Sequence, residues 1–171
     1  MPCRNWEFGG VVTMKWIFGA AGAVAALVLS AGTAFAAPGQ SQTQTVHGLI
    51  SDSLPLTCAG IGTGTTSYTG TGNSIQHFNF NNTGGWFTTT TEGIVTLVVT
   101  PGQGAATTYT GHITEWFGQA DNNQNGVQHA TVDFNGTNVA GGAALRLHAA
   151  FDTTTNADGT TTANHFNVSC S

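Results

Sequence analysis

Asp121-Asn122-Asn123-Gln124-Asn125-Gly126 places oxygen-bearing side chains at alternate positions ahead of a glycine. That is the opening of a calcium-binding loop of the EF-hand type. Asp121, Asn123 and Asn125 would supply the first three ligands and Gly126 the turn. A complete loop needs a bidentate Glu at its twelfth position, but Val132 stands there and Asp133 comes one residue late. Val132 also falls on the apolar parity of an alternating segment, which turns it away from the loop. The stretch therefore reads as a hairpin turn, with Asn125-Gly126 supplying positive φ. As a weak metal site it rests on Asp121, Asn123 and Asn125.

The six histidines, His47, His77, His112, His129, His148 and His165, all fall on the polar parity of alternating segments. Neutral imidazoles on adjacent strands can ligate zinc or copper, yet no H-x-H or H-E-x-x-H spacing occurs. A metal site, or a ligand cavity lined by histidines, requires that parity to face inward; histidines facing outward remove both. His129 with Asp133, and His148 with Asp152, lie four apart, about 13 Å along a strand and too far for a direct hydrogen bond. A cross-strand pair such as His148 with Asp133 depends on register. No G-x-S-x-G elbow is present, and bonded cysteines leave no thiol nucleophile. No catalytic residue and no cofactor is assigned.

Glu115 shares its parity with Tyr109, Ile113 and Phe117. A carboxyl on the core face would have a raised pKa, as active-site acids do. The simpler expectation is a bulge near the strand end that swaps the parity and buries Trp116 instead. Tyr109, His112, Glu115, Trp116 and His148 are the candidate ligand contacts, with Trp86 as a further aromatic contact.

The elements that must carry these residues are strands. Ala130, Val132 and Phe134 alternate with His129, Thr131 and Asp133; Leu145, Leu147 and Phe151 alternate with Arg146, His148 and Asp152. Phe78 and Phe80, and Phe166, Val168 and Cys170, repeat the pattern. Period-2 alternation of this kind marks strands with one buried face. Turn chemistry separates them in "NNTGG", "TPGQG", "DNNQNG" and "NADG". Strands are expected near 44–50, 65–70, 74–81, 86–91, 93–100, 105–117, 127–135, 143–153 and 162–170, with some merging to leave about eight. "GTGTTSYTGTG" reads as neither helix nor clear strand. The fold class is all-β, an antiparallel meander closed into a barrel or, alternatively, split into a two-sheet sandwich.

Processing signals frame this domain. From Met14 a single Lys15 precedes an apolar run from Trp16 to Leu29, and small residues end in Ala34-Phe35-Ala36. This is the pattern of a secretory signal over 14–36, cut near Ala36, with 1–13 an upstream extension of a mis-assigned start. The domain is then 37–171, with no transmembrane segment. Arg146 is its only Lys or Arg, which excludes electrostatic binding of nucleic acid or anionic lipid. Cys58 and Cys170 are its two cysteines, and in an exported chain an even pair reads as a disulfide.

"YTGHITEWFGQADNNQNG" and "DGTTTANHFNVSC" resemble a group of uncharacterised small secreted β-rich proteins of actinomycete bacteria, over roughly Tyr109 to Cys170. The resemblance implies an exported protein of that source and supplies no activity or functional residue. Three functions fit the sequence. The first is a secreted, non-enzymatic β-barrel that binds a small ligand or a cell-surface component. The others are a structural or adhesive envelope protein and an enzyme of unknown class.

Overall fold

A computed structural model describes residues 40–58, 61–81, 83–122 and 124–171. The expected upstream extension and signal segment lie outside the described residues, as does Asn123.

Among the described residues, seven strands form one antiparallel sheet: β1 (Gln40–Cys58), β2 (Gly62–Asn81), β3 (Gly84–Pro101), β4 (Thr107–Asn122), β5 (Asn125–Asn138), β6 (Ala144–Asn156) and β7 (Thr161–Cys170). Each is bonded only to its sequence neighbours, in the order β1 to β7. The segments expected near 65–70 and 74–81 are one strand, and those near 86–91 and 93–100 another. "GTGTTSYTGTG" is the first part of β2.

The expected barrel closure is not observed. β1 and β7 are the two edges of the sheet and share no ladder. In a seven-strand meander the first and last strands run parallel, so closing the sheet would require one parallel pairing among antiparallel ones. The Cys58–Cys170 disulfide joins the edges instead, with Cα atoms 5.4 Å apart and 112 residues between them in sequence. Following the register from Gly48 through Gly72, Gly93, Ile113, Phe134 and Leu147 leads to Cys170. Cys170 is bonded to Cys58, well beyond Gly48 along β1. So large a stagger means that the strands are strongly tilted around a curled sheet.

The inner face of the curl carries the core. Leu56, Tyr68, Val95, Leu97, Val99, Ile113, Phe134, Leu145 and Leu147 are all buried, each on the parity the alternation assigns. Close curling needs backbones without Cβ atoms at the inner positions. Gly72 and Gly93 are register partners. A Cβ on Gly72 would stand 2.0 Å from the Glu92 carbonyl and 2.6 Å from Ile50 Cδ1.

Four of the hairpin turns share one device. Asn81 Oδ1 accepts from Thr83 N, Asn122 Oδ1 from Gln124 N, Asn138 Oδ1 from Ala140 N, and Asp158 Oδ1 from Thr160 N. These Asx turns satisfy the backbone where the ladder stops. Gly159 supplies positive φ in the last of them. Gly126 does not: it is extended in β5 opposite Asp121, and Asn122 organises that turn.

Candidate functional site

Because strand parity is unbroken, the sheet sorts the candidate residues onto two faces. β4 pairs continuously with β3 through Thr91↔Glu115 and with β5 through Glu115↔Val132. No bulge swaps its parity, contrary to expectation. Glu115 and Tyr109 therefore point inward, while His112 and Trp116 point outward, as does His148 on β6. The five candidate contacts do not converge.

The inward pair belongs to a polar region within the core. The Tyr68 hydroxyl donates to Glu115 Oε1. Burial pushes the Glu115 carboxyl above its ordinary value, and the Tyr68 hydrogen bond offsets part of that rise. Burial also raises the Tyr68 phenol, reinforced by the nearby Glu115 and Asp52 charges. This phenol stays protonated and acts as a fixed donor. Tyr109 is half-buried and packs against the core cluster.

All six histidines lie on the outer face. His47 and His77 bond to Asn73 and Thr43, their cross-strand neighbours. β5 and β6 hold two crossed His–Asp pairs. His148 Nδ1 bonds Asp133 Oδ1 at 2.8 Å, and His129 Nδ1 bonds Asp152 Oδ1. The register sets Asp133 opposite His148 and His129 opposite Asp152, so the pairs separated along the chain find partners across the ladder. Outward-facing histidines remove the histidine-lined cavity. Among the described residues, no group of three or more His, Cys, Asp or Glu side chains converges to hold a metal. At the Asp121 turn, Asp121 Oδ2 instead accepts from Gln119 Nε2 at 2.5 Å.

A shallow open depression of about 610 Å³ lies around Asp133 and His148, with His112, Arg146 and Ser169 on its rim. Ser169 stands opposite His148 in register. The row Asp133–His148–Ser169 thus has the order of a charge–imidazole–hydroxyl triad, but no hydrogen bond joins Ser169 to His148 among the described residues. Without that contact the hydroxyl has no base to activate it.

Trp116 occupies the most organised part of the outer face. A Cβ on Gly118 would lie 2.4 Å from its Cη2 and 2.9 Å from its Cζ2, so the indole lies over the bare glycine. Its ring centroid is 5.4 Å from that of His129, which Asp152 orients. Trp116 remains 37% exposed. Here an aromatic plate has an imidazole and a carboxylate at its border and Thr90 and Thr131 as cross-strand neighbours. Trp86 is a second exposed indole on the same face. Trp116 is among the contacts expected from the sequence; the supporting role of Gly118 emerges only in the fold. No family model, curated protein or solved structure matches the chain, so the chemistry of the site rests on its own geometry.

Proposed function

We propose that the protein is a secreted, non-enzymatic binder that lays the outer face of its sheet against a neutral, hydroxyl-rich component of a cell surface. The observation that carries this reading is Trp116, held over Gly118 beside the His129–Asp152 pair. Aromatic faces stack on the apolar faces of sugar rings, and imidazole and carboxylate edges exchange hydrogen bonds with ring hydroxyls. Arg146 is the one Lys or Arg after Lys15, which favours an uncharged polymer over an anionic one. The row Ser51, Thr69, Thr96, Thr110 and Thr137, aligned across five strands on the same face, adds further hydroxyl partners.

Export is supported by the signal pattern ending in Ala34-Phe35-Ala36 and by the disulfide. Among the described residues no helix is long and apolar enough to cross a membrane. The actinomycete resemblance agrees with an extracellular role.

Retention on insoluble cellulose and chitin tests the binding reading. We expect retention that survives high salt, because the contact is uncharged. Trp116→Ala should weaken it at least tenfold, and Gly118→Val should do the same by lifting the indole. No retention of the wild-type protein on either polymer would sink the proposal.

A structural or adhesive reading draws on a different observation. Among the described residues β7 is an unpaired edge, and its residues 161–167 are exposed, the kind of strand that pairs with another chain. Sedimentation velocity across a concentration series separates the two readings: a concentration-dependent oligomer favours adhesion.

A further inference from the structure

The inner face holds a second polar feature that the outer-face reading does not use. Gln76 is 0% exposed and Thr89 6% exposed, and they are register partners across β2 and β3. Among the described residues, Gln76 Nε2 and Thr89 Oγ1 have no hydrogen-bond partner. Buried polar atoms in native proteins are nearly always satisfied, by protein, water or ligand. The neighbouring polar pair shows that this face can satisfy itself, since Ser74 Oγ and Thr91 Oγ1 bond each other at 2.7 Å. The Gln76 carbonyl is also engaged, accepting from Gln44 Nε2 at 3.3 Å. What remains open is a donor on Gln76 and a hydroxyl on Thr89, side by side.

Their surroundings define what would fit. Phe117 is the next residue in the register after Thr89. Phe78, Phe87 and Phe117 form a chain of rings with centroids 4.8 and 5.9 Å apart. Ala130 follows Phe117 in the row and is small. The row begins at Gln44 on the free edge strand β1, so a molecule can enter without breaking a ladder. The inner parity carries Asp52 and Glu115 and none of the six histidines or Arg146, so an anion finds no counter-charge there. The Gln76 amide presents hydrogens, which repel a cation.

We propose that Gln76 and Thr89 form the polar end of a binding site for a small uncharged molecule that carries a carbonyl or hydroxyl oxygen on an apolar ring or chain. Gln76 Nε2 donates to the oxygen, Thr89 Oγ1 shares it, and the Phe78–Phe87–Phe117 rings cover the apolar body. This site is independent of the outer face, so failure of either reading leaves the other standing.

Cyclohexanone is a suitable probe, with methylcyclohexane as the isostere lacking the acceptor. Nitrogen–proton correlation spectra of the full chain should show a saturable shift of the Gln76 side-chain NH2 pair with the ketone and none with the hydrocarbon. Gln76→Leu combined with Thr89→Val should weaken ketone binding at least tenfold while leaving the circular dichroism spectrum unchanged. If the double variant does not fold, Thr89→Val alone should weaken binding severalfold. The proposal is overturned if the ketone gives no saturable shift, if the hydrocarbon binds equally well, or if the variants bind the ketone as the wild type does. It is likewise overturned if a long-lived water contacts both groups and persists at saturating ketone.

Discussion

The two faces of this sheet are made by the same strands and differ in nearly everything else. The inner face collects the buried aliphatic side chains, Tyr68 and the glycines that let backbones close up. The outer face collects all six histidines, Arg146, Trp86 and Trp116. Successive residues thus serve different ends. Glu115 is held inside by Tyr68 while Trp116 lies outside over Gly118. Under the proposed function, stability and recognition are interleaved at period two, and substitutions one residue apart should separate them.

The clasp of the inner face offers the largest expected effect. Replacing Cys58 and Cys170 by Ser reopens a loop of 112 residues, worth about 4–5 kcal/mol in the chain-entropy model. Urea unfolding should show a midpoint lowered accordingly. Next comes a matched pair of isoleucines. Ile113 is 0% exposed and Ile94 59% exposed, and they lie on opposite faces of neighbouring strands. Ile113→Ala should cost about 2–5 kcal/mol, whereas Ile94→Ala should stay within about 0.5 kcal/mol of wild type. Equal losses would break the two-face description.

Glu115 gives a smaller effect with a defined sign. Its folded pKa lies above the ordinary 4.5. Below that range the carboxyl is protonated in both states. As pH rises through it, the unfolded chain loses the proton first, so stability falls until the folded carboxyl ionises too. Glu115→Gln keeps an acceptor for Tyr68 and should abolish this slope. It should also stabilise the protein at pH 7, because burial disfavours the ionised Glu115 carboxyl. The smallest effect belongs to the exposed outer pairs: Asp133→Asn should change the unfolding free energy by less than about 1 kcal/mol.

Much of the architecture was legible because alternation is a direct image of the pleat. β5 and β6 bury residues their parity assigns, whereas on β7 only Val168 and Cys170 pack against the core and Phe166 is exposed; Cys58 and Cys170 pair as expected. The first part of β2 was not legible. Its inner positions include Thr66, Gly70 and Gly72, so the apolar signal is missing where close backbone approach demands small residues. The barrel expectation failed on strand count: merging segments around Gly72 and Gly93 left seven strands and parallel edges. Parity correctly placed Glu115 inside, and the bulge invoked to remove it does not exist. The His–Asp pairs lay beyond sequence because they depend on register, which sets His148 opposite Asp133 and His129 opposite Asp152. Asn125-Gly126 does not form the turn for a local reason, since Asn122, three residues before Asn125, closes it through its side chain.

The division of labour between the faces is tested most directly at Trp116 and Ile113, which are both on β4. Retention on cellulose and chitin and the urea midpoint should be measured together for wild type, Trp116→Ala and Ile113→Ala. Trp116→Ala should lose at least tenfold in retention with its midpoint nearly unchanged. Ile113→Ala should lower the midpoint and keep its retention while folded. A Trp116→Ala protein that binds as wild type, or that unfolds as readily as Ile113→Ala, would contradict that division of labour.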